Sequence, residues 1–225
     1  MAAYDREWAA HYARRAEASI PGRDGLYRLC CAALRDLPPS AEVLVVGSGT
    51  GEELLRLAAA HPTARFVGIE PAEGMRSLCE QRVADAGVGG RVSLQGGTLA
   101  SFDTKTRFDG ATSVLVSQHV TDDTDAADFF QKLAELLEPG AWLYSADIHL
   151  AAGQDEALMR SAWENQARRA GLEEAAIAHL RNQLGIDPRL RSEEVIVGFL
   201  RGAGFVDVHK LFSATLYGSW AARRS

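Results

Sequence analysis

Val43-Leu44-Val45-Val46-Gly47-Ser48-Gly49-Thr50-Gly51-Glu52-Glu53 is an apolar run of four, a glycine-rich turn and the first turn of a helix that continues through Leu54, Leu55, Leu57 and Ala58. A short strand with no polar residue belongs in a sheet covered on both faces. Glycines let the backbone turn sharply and approach a ligand with no Cβ in the way, and open α/β sheets bind ligands at the carboxyl ends of their strands. The position therefore suits a cofactor. The rival is a dinucleotide loop, which needs G-x-G-x-x-G; here the third glycine comes one residue early and Glu52 stands in its place. Two carboxylates in a first helical turn suit the helix dipole but would repel a pyrophosphate docked at the same end. A ligand without phosphate and with a positive centre escapes that conflict. A loop that merely turns the chain is the plainer alternative.

Working outward, the pattern alternates. Phe66-Val67-Gly68-Ile69 reads as a second strand, closed by Glu70, and Pro71 opens the next helix, where its missing N–H costs little. Residues 92–94, 111–116 and 141–148 read as three further strands, with a helix at about 125–137. Strand and helix in alternation predict an α/β fold with a parallel, doubly wound sheet. Glu70 has the chemistry to accept protons from two vicinal hydroxyls of a ribose; a helix cap ahead of Pro71 is its other reading. Beyond residue 148 the alternation stops: two helices over 153–184, another over 193–203, then strands at 206–212 and 214–220. Upstream, residues 3–18 and 23–36 read as two helices separated by Ile20-Pro21-Gly22.

Composition narrows the class. Of 225 residues, 47% are apolar and 24% charged, which supports a buried core and argues against disorder. The net charge of −6, with no basic run before Arg223-Arg224, disfavours nucleic acid as a partner. No apolar run approaches the roughly 20 residues that span a bilayer, and the first 18 residues lack the apolar segment of a secretory leader. Cys30, Cys31 and Cys79 are an odd set with an adjacent pair, a poor disulfide framework and no metal spacing. The expectation is a cytoplasmic protein with reduced thiols and no metal.

Residues 43–53 together with Gly68-Ile69-Glu70-Pro71 resemble the first two motifs of class I S-adenosylmethionine (SAM) dependent methyltransferases. Phe108-Asp109-Gly110, Ser117-Gln118-His119, Leu137-Glu138-Pro139-Gly140-Ala141 and Gly202-Ala203-Gly204-Phe205-Val206-Asp207-Val208 match later segments of the same family, so the resemblance covers about residues 40–220. It implies a Rossmann-like seven-stranded methyltransferase sheet with a helical lid, SAM as cofactor and S-adenosylhomocysteine as product. On that pattern the chain is one domain, residues 1–225: an N-terminal cover (1–39), a SAM-binding core (40–150), a lid insertion (151–192) and a C-terminal helix and hairpin (193–225). The implied cofactor contacts are Gly47, Ser48, Gly49, Glu70, Pro71, Met75, Gly97, Thr98, Leu99 and Ser117. A narrower likeness, carried by Ile20-Pro21-Gly22, residues 155–184 and the ending 212–220, is to the subgroup containing carboxy-SAM synthase and related methyltransferases. Two positions depart from the family: Val45 replaces an acid two residues before the first glycine, and Gly96-Gly97-Thr98-Leu99 replaces an acid after the third strand.

The resemblance is specific for the cofactor and nearly silent on the acceptor. Methyl transfer depends mainly on alignment, so a general base is optional. His119, after the fourth strand, is the leading candidate for one and His149, ending the fifth, the second; an imidazole in either place suits proton transfer near neutral pH, and each has a packing role as its alternative. Tyr12, Tyr27, Trp163 and Tyr217 are candidates to line an apolar substrate pocket, and Arg23, Arg28 and Arg181 to hold a substrate carboxylate. The reading is a methyltransferase acting on an oxygen or nitrogen of a small molecule. A tRNA-modifying or SAM-modifying enzyme, a non-catalytic SAM-binding module and a homodimer stay open.

Overall fold

The computed structural model describes residues 14–183, 186 and 190–225. Helix α1 (Arg23–Ala33) precedes β1 (Glu42–Val46), α2 (Glu52–Ala60), β2 (Arg65–Glu70), α3 (Glu73–Asp85), β3 (Val92–Gly96), β4 (Phe108–Val114), α4 (Asp123–Leu136) and β5 (Leu137–Ile148). Helices α5 (Glu156–Arg169), α6 (Glu174–Gln183) and α7 (Glu193–Gly202) and the hairpin β6 (Phe205–Ala214) and β7 (Tyr217–Arg224) complete the chain. The seven strands form one sheet in the order β3-β2-β1-β4-β5-β7-β6. Strands β1 to β5 run parallel, with Val46 beside Ile69 and Ser113, and β7 enters antiparallel between β5 and β6.

Both faces are covered. On one, Leu26 and Cys30 of α1, Leu54 and Leu57 of α2, Trp163 of α5 and Ile177 of α6 pack on Val43, Val45, Tyr144 and Ile148. On the other, Phe130 and Leu133 of α4 and Ile196 and Leu200 of α7 pack on Leu44, Val46, Leu143 and Trp220. Burying strand residues of both parities explains why β1 is apolar from Val43 to Val46, with Glu42 only half-buried at its start. The Tyr144 hydroxyl donates to the Leu26 carbonyl (2.7 Å), fastening α1 to the sheet. Asp122 caps α4 by accepting from the Thr124 and Asp125 amides (2.8 and 3.1 Å). The three cysteines are free thiols, two of them buried.

Several boundaries differ from the sequence reading. Strand β4 stops at Val114 because Leu115 takes φ +58°, a left-handed conformation that ends a strand. The final hairpin turns at Thr215 (φ +49°) rather than at Ser213. Arg223 and Arg224, beyond the strand end expected at 220, lie in β7: Arg223 pairs with Asp207 (2.6 Å) and Arg224 donates to the Ala134 carbonyl (3.0 Å). Of the expected helix over 3–18, only residues 14–18 fall among those described, and they are helical. No helix of the described residues is long and apolar enough to cross a membrane.

Candidate active site

The glycine turn sits where β1 ends, between β2 and β4. The Gly47 and Ser48 amides donate to the Ile69 carbonyl (2.8 and 3.0 Å), binding the turn to the end of β2. Gly47 has φ +68°, and a Cβ there would lie 2.4 Å from Val116 Cγ2. Gly51 has φ +84° at the start of α2, and its Cβ would lie 2.7 Å from Cys79 Sγ. Both positions require glycine on conformation and on space. Glu70 closes the second side. Its Oε2 accepts from the Gly49 amide (3.0 Å) and its Oε1 from the Ala72 amide (2.9 Å). The carboxylate is thus fixed beside the turn with lone pairs to spare.

The other expected cofactor residues ring the same strand ends. Met75 on α3 reaches Gly49, with its Cε 3.6 Å from where a Cβ would stand. Pro71 is exposed, Gly97 follows β3 at φ +120°, and Thr98 caps the short turn Leu99–Ser101, in which Leu99 is buried. Val45 is buried in the core, so the family's acid is replaced by packing and not by another polar group. Arg76 was missed by sequence reasoning. Its guanidinium donates to the Glu70 carbonyl (3.1 Å) and lies against Gly96, where a Cβ would come within 2.9 Å of Nη1.

Contrary to the expectation of repulsion, neither first-turn carboxylate of α2 presents a bare charge to a pyrophosphate. Burial alone would raise the Glu52 pKa, but hydrogen bonds from Arg82 (3.1 Å) and Arg56 (3.1 Å) outweigh it, and its charge is met by two guanidinium groups. Glu53 points the other way, into the core; burial pushes its carboxyl up to about 8, so it is neutral at pH 7. The case against a dinucleotide therefore rests on the glycine spacing and not on repulsion, since an acid ending the second strand serves a ribose in either kind of site.

The ends of β4 and β5 supply the remaining groups. Ser117 is buried and donates its hydroxyl to Asp147 Oδ2, while Asp147 Oδ1 accepts from the Ile148 amide (2.8 Å). Burial lifts the Asp147 carboxyl to about 6 against the pull of Ser117. Gln118 is 7% exposed, and both of its amide heavy atoms are buried without a partner among the described residues. His119 is exposed; partial burial lowers its pKa, and the Glu70 carboxylate opposes that shift. His149 is 0% exposed. Its Nε2 lies 3.2 Å from Lys210 Nζ, its ring stands edge-on to Trp220 at 4.9 Å, and burial together with Lys210 lowers its pKa to about 4.

The substrate candidates do not converge on one pocket. Arg23 and Arg56 stack on the ring of Tyr27 (5.0 and 5.3 Å), beside the start of α2. Arg28 pairs with Asp24 at the surface (2.7 Å) and Arg181 with Glu164 (2.9 Å). Trp163 and Tyr217 are fully buried; the indole Nε1 of Trp163 donates to the Ser19 carbonyl (2.8 Å), joining α5 to the N-terminal segment. Tyr12 lies outside the described residues. Asp147, Gln118 and Arg191 were also missed. Asp147 carried a signal, an acid within the apolar strand Ala146-Asp147-Ile148. No group of three or more metal-binding side chains occurs among the described residues.

Known proteins share this arrangement. Residues 43–140 match the methyltransferase domain family. An uncharacterized methyltransferase of Emericella nidulans is 29% identical over 136 residues, 52% of this chain and 46% of that protein, so the chain spans about half of it. The ubiquinone/menaquinone biosynthesis C-methyltransferase of Desulfotalea psychrophila is 25% identical over 209 residues, 90% of this chain and 81% of that protein. Among solved structures, an O-methyltransferase family 2 protein of Planctomyces limnophilus in complex with apigenin shares the fold, with a TM-score of 0.65 and 19% identity over 98% of this chain and 62% of its own. With the glycine turn, the strand order and Glu70 all in place, the chain is similar to SAM-dependent methyltransferases, and its match to the methyltransferase domain family covers residues 43–140.

Proposed function

We propose that this chain transfers the methyl group of SAM to an oxygen or nitrogen of a small organic acceptor. The observation that carries the cofactor half is the Glu70 carboxylate, held by the Gly49 and Ala72 amides beside a turn that Gly47 and Gly51 keep free of side chains. The donor set fits an adenosyl group: carboxylate lone pairs for ribose hydroxyls, the open turn for the amino-acid end, and residues 97–99 with Met75 around the base. When bound, SAM supplies a methyl group already activated for in-line displacement by its sulfonium.

The chain's own residues align and deprotonate. The loop after β4 packs on the glycine turn through Val116, and His119 on it is an exposed imidazole that feels the Glu70 carboxylate, suited to take a proton from an acceptor hydroxyl or amine near neutral pH. His149 has no exposed atom and is engaged by Lys210, which favours His119 for that role. Arg23 and Tyr27, stacked with Arg56 at the α1–α2 seam, are our candidates for holding the acceptor, while Trp163 and Tyr217 are buried within the cover. Helices α5 and α6, packed over the face that carries α1, suit enclosing a small ligand, and the apigenin held by the Planctomyces limnophilus protein supports that acceptor class. The C-methyltransferase among the relatives makes carbon the rival atom.

The test is incubation with SAM and a panel of phenols, amines, small carboxylic acids and quinols, with products identified by mass and fragmentation. A gain of one methyl on oxygen or nitrogen supports the proposal. Methylation at carbon only, or of RNA only, overturns the acceptor half.

A further inference from the structure

We infer that Arg191 is a positioning residue that ties the base of the helical cover to the wall of the cofactor cleft formed by residues 116–120. The inference rests on the methyltransferase reading for its meaning, though its geometry stands alone. The stretch that includes α5 and α6 leaves the sheet at Leu150 and returns at Arg191, and its two ends are joined. The Leu150 amide donates to the Arg191 carbonyl (2.9 Å), the Glu193 amide donates to the Leu150 carbonyl (3.0 Å), and Leu150 and Ser192 bridge in parallel.

From that junction the Arg191 side chain, 13% exposed, reaches back about seventy residues in sequence. Its Nε donates to Asp123 Oδ1 (2.9 Å), its Nη1 to the Ser117 carbonyl (3.3 Å), and its Nη2 to the carbonyls of Val120 (2.6 Å) and Asp122 (3.3 Å). The guanidinium also lies over the Phe199 ring of α7 at 5.5 Å. An ion pair with Asp123 at the surface would contribute little by itself. Three main-chain oxygens of one irregular loop converging on one planar fork are a different matter: only arginine offers five donors in that fixed geometry.

The loop so held borders the cofactor cleft. It begins with Leu115 in a left-handed conformation and holds itself with two short-range amide bonds, from His119 to the Val116 carbonyl (3.0 Å) and from Val120 to the Ser117 carbonyl (3.0 Å). Its Val116 packs on Gly47 of the glycine turn, Ser117 engages Asp147, and His119 lies within the field of Glu70. Arg191 therefore links the place where the cover leaves and rejoins the sheet to the loop that packs on the glycine turn. A shift of the cover would be felt at His119 through one side chain.

The experiment compares wild type, Arg191→Ala, Arg191→Lys and, as a control, Arg201→Ala, an exposed arginine on α7. Amide hydrogen exchange is measured by residue, and S-adenosylhomocysteine affinity by calorimetry. Arg191→Ala is expected to speed exchange at residues 117–122 by about tenfold or more while β1 and β2 keep wild-type rates, and to weaken S-adenosylhomocysteine by about tenfold, the factor that 1.4 kcal/mol represents. Arg191→Lys should recover part of both effects, and Arg201→Ala should change neither. Unchanged exchange at 117–122 in Arg191→Ala, or an equal rise across β1 and β4, overturns the inference. A wild type that fails to bind S-adenosylhomocysteine counts against the methyltransferase reading, while the exchange data still decide the role of Arg191.

Discussion

Glu53→Gln should stabilise the protein, and the gain should grow with pH. Glu53 is 5% exposed on the inner side of α2, with Oε1 lacking a hydrogen-bond partner. Burial raises its pKa from an ordinary 4.5 to about 8, and the Thr112 hydroxyl opposes the shift only weakly. The folded-state pKa is thus above the unfolded one, so the stability associated with the neutral acid is fully present below pH 4.5 and is lost as pH rises through 8. At pH 7 the unfolded chain has released the proton and the folded one has not, which costs about 3 kcal/mol, rising to about 5 kcal/mol above pH 8. Glutamine keeps the shape, never ionises and removes that cost. For a chain of this length, about 3 kcal/mol corresponds to a rise in Tm of roughly 6–12 °C at pH 7. Thermal and urea unfolding of wild type and Glu53→Gln at pH 5, 7 and 8.5 measure the effect. Curves that converge near pH 5 and separate at 8.5 agree with a buried neutral acid. Parallel curves would show that Glu53 is ionised and paired in the folded protein, refuting the reasoning.

Other outcomes follow from the same geometry. Gly47→Ala forces a side chain into a left-handed position against Val116 and should cost about 1–3 kcal/mol while abolishing S-adenosylhomocysteine binding by calorimetry. Trp163→Phe removes the indole bond to the Ser19 carbonyl and should lower stability by about 1 kcal/mol, with no loss of cofactor affinity. His119→Asn should leave S-adenosylhomocysteine binding intact and reduce turnover of any accepted hydroxyl or amine by about 10²–10⁴-fold; full activity would remove His119 as the base. His149 is neutral in the fold because burial depresses its pKa to about 4, so it contributes stability above pH 6.5 that is lost as pH falls through 4. Acid unfolding of wild type should show that loss, and His149→Gln should not.

The strand–turn–helix of residues 43–53 was readable because its signals are local: an apolar run, glycines where the backbone turns, and helical spacing after them. Glu70 was readable for the same reason, ending a strand just before a proline. What escaped was settled by distant partners. Glu52 and Glu53 look alike as first-turn acids, yet a helix turns consecutive side chains about 100° apart, and one meets two arginines while the other meets the core. Arg191 gave no sign in sequence because its acceptors are main-chain oxygens about seventy residues upstream. The hairpin turn at Thr215 lacks the glycine or asparagine that ordinarily marks a left-handed residue. The substrate aromatics failed to converge because position along the chain says nothing about which face of the cover a side chain takes.

On the proposed function, the cleft between the glycine turn and Glu70 holds the adenosyl group of SAM. Calorimetric titration of wild type, Glu70→Gln and Glu70→Ala with S-adenosylhomocysteine and with NAD tests it most directly, provided each variant unfolds at a temperature near that of wild type. The expected result is micromolar binding of S-adenosylhomocysteine by wild type, loss in Glu70→Ala, weakening in Glu70→Gln, and no binding of NAD. Binding that survives Glu70→Ala unchanged, or binding of NAD in place of S-adenosylhomocysteine, would contradict it.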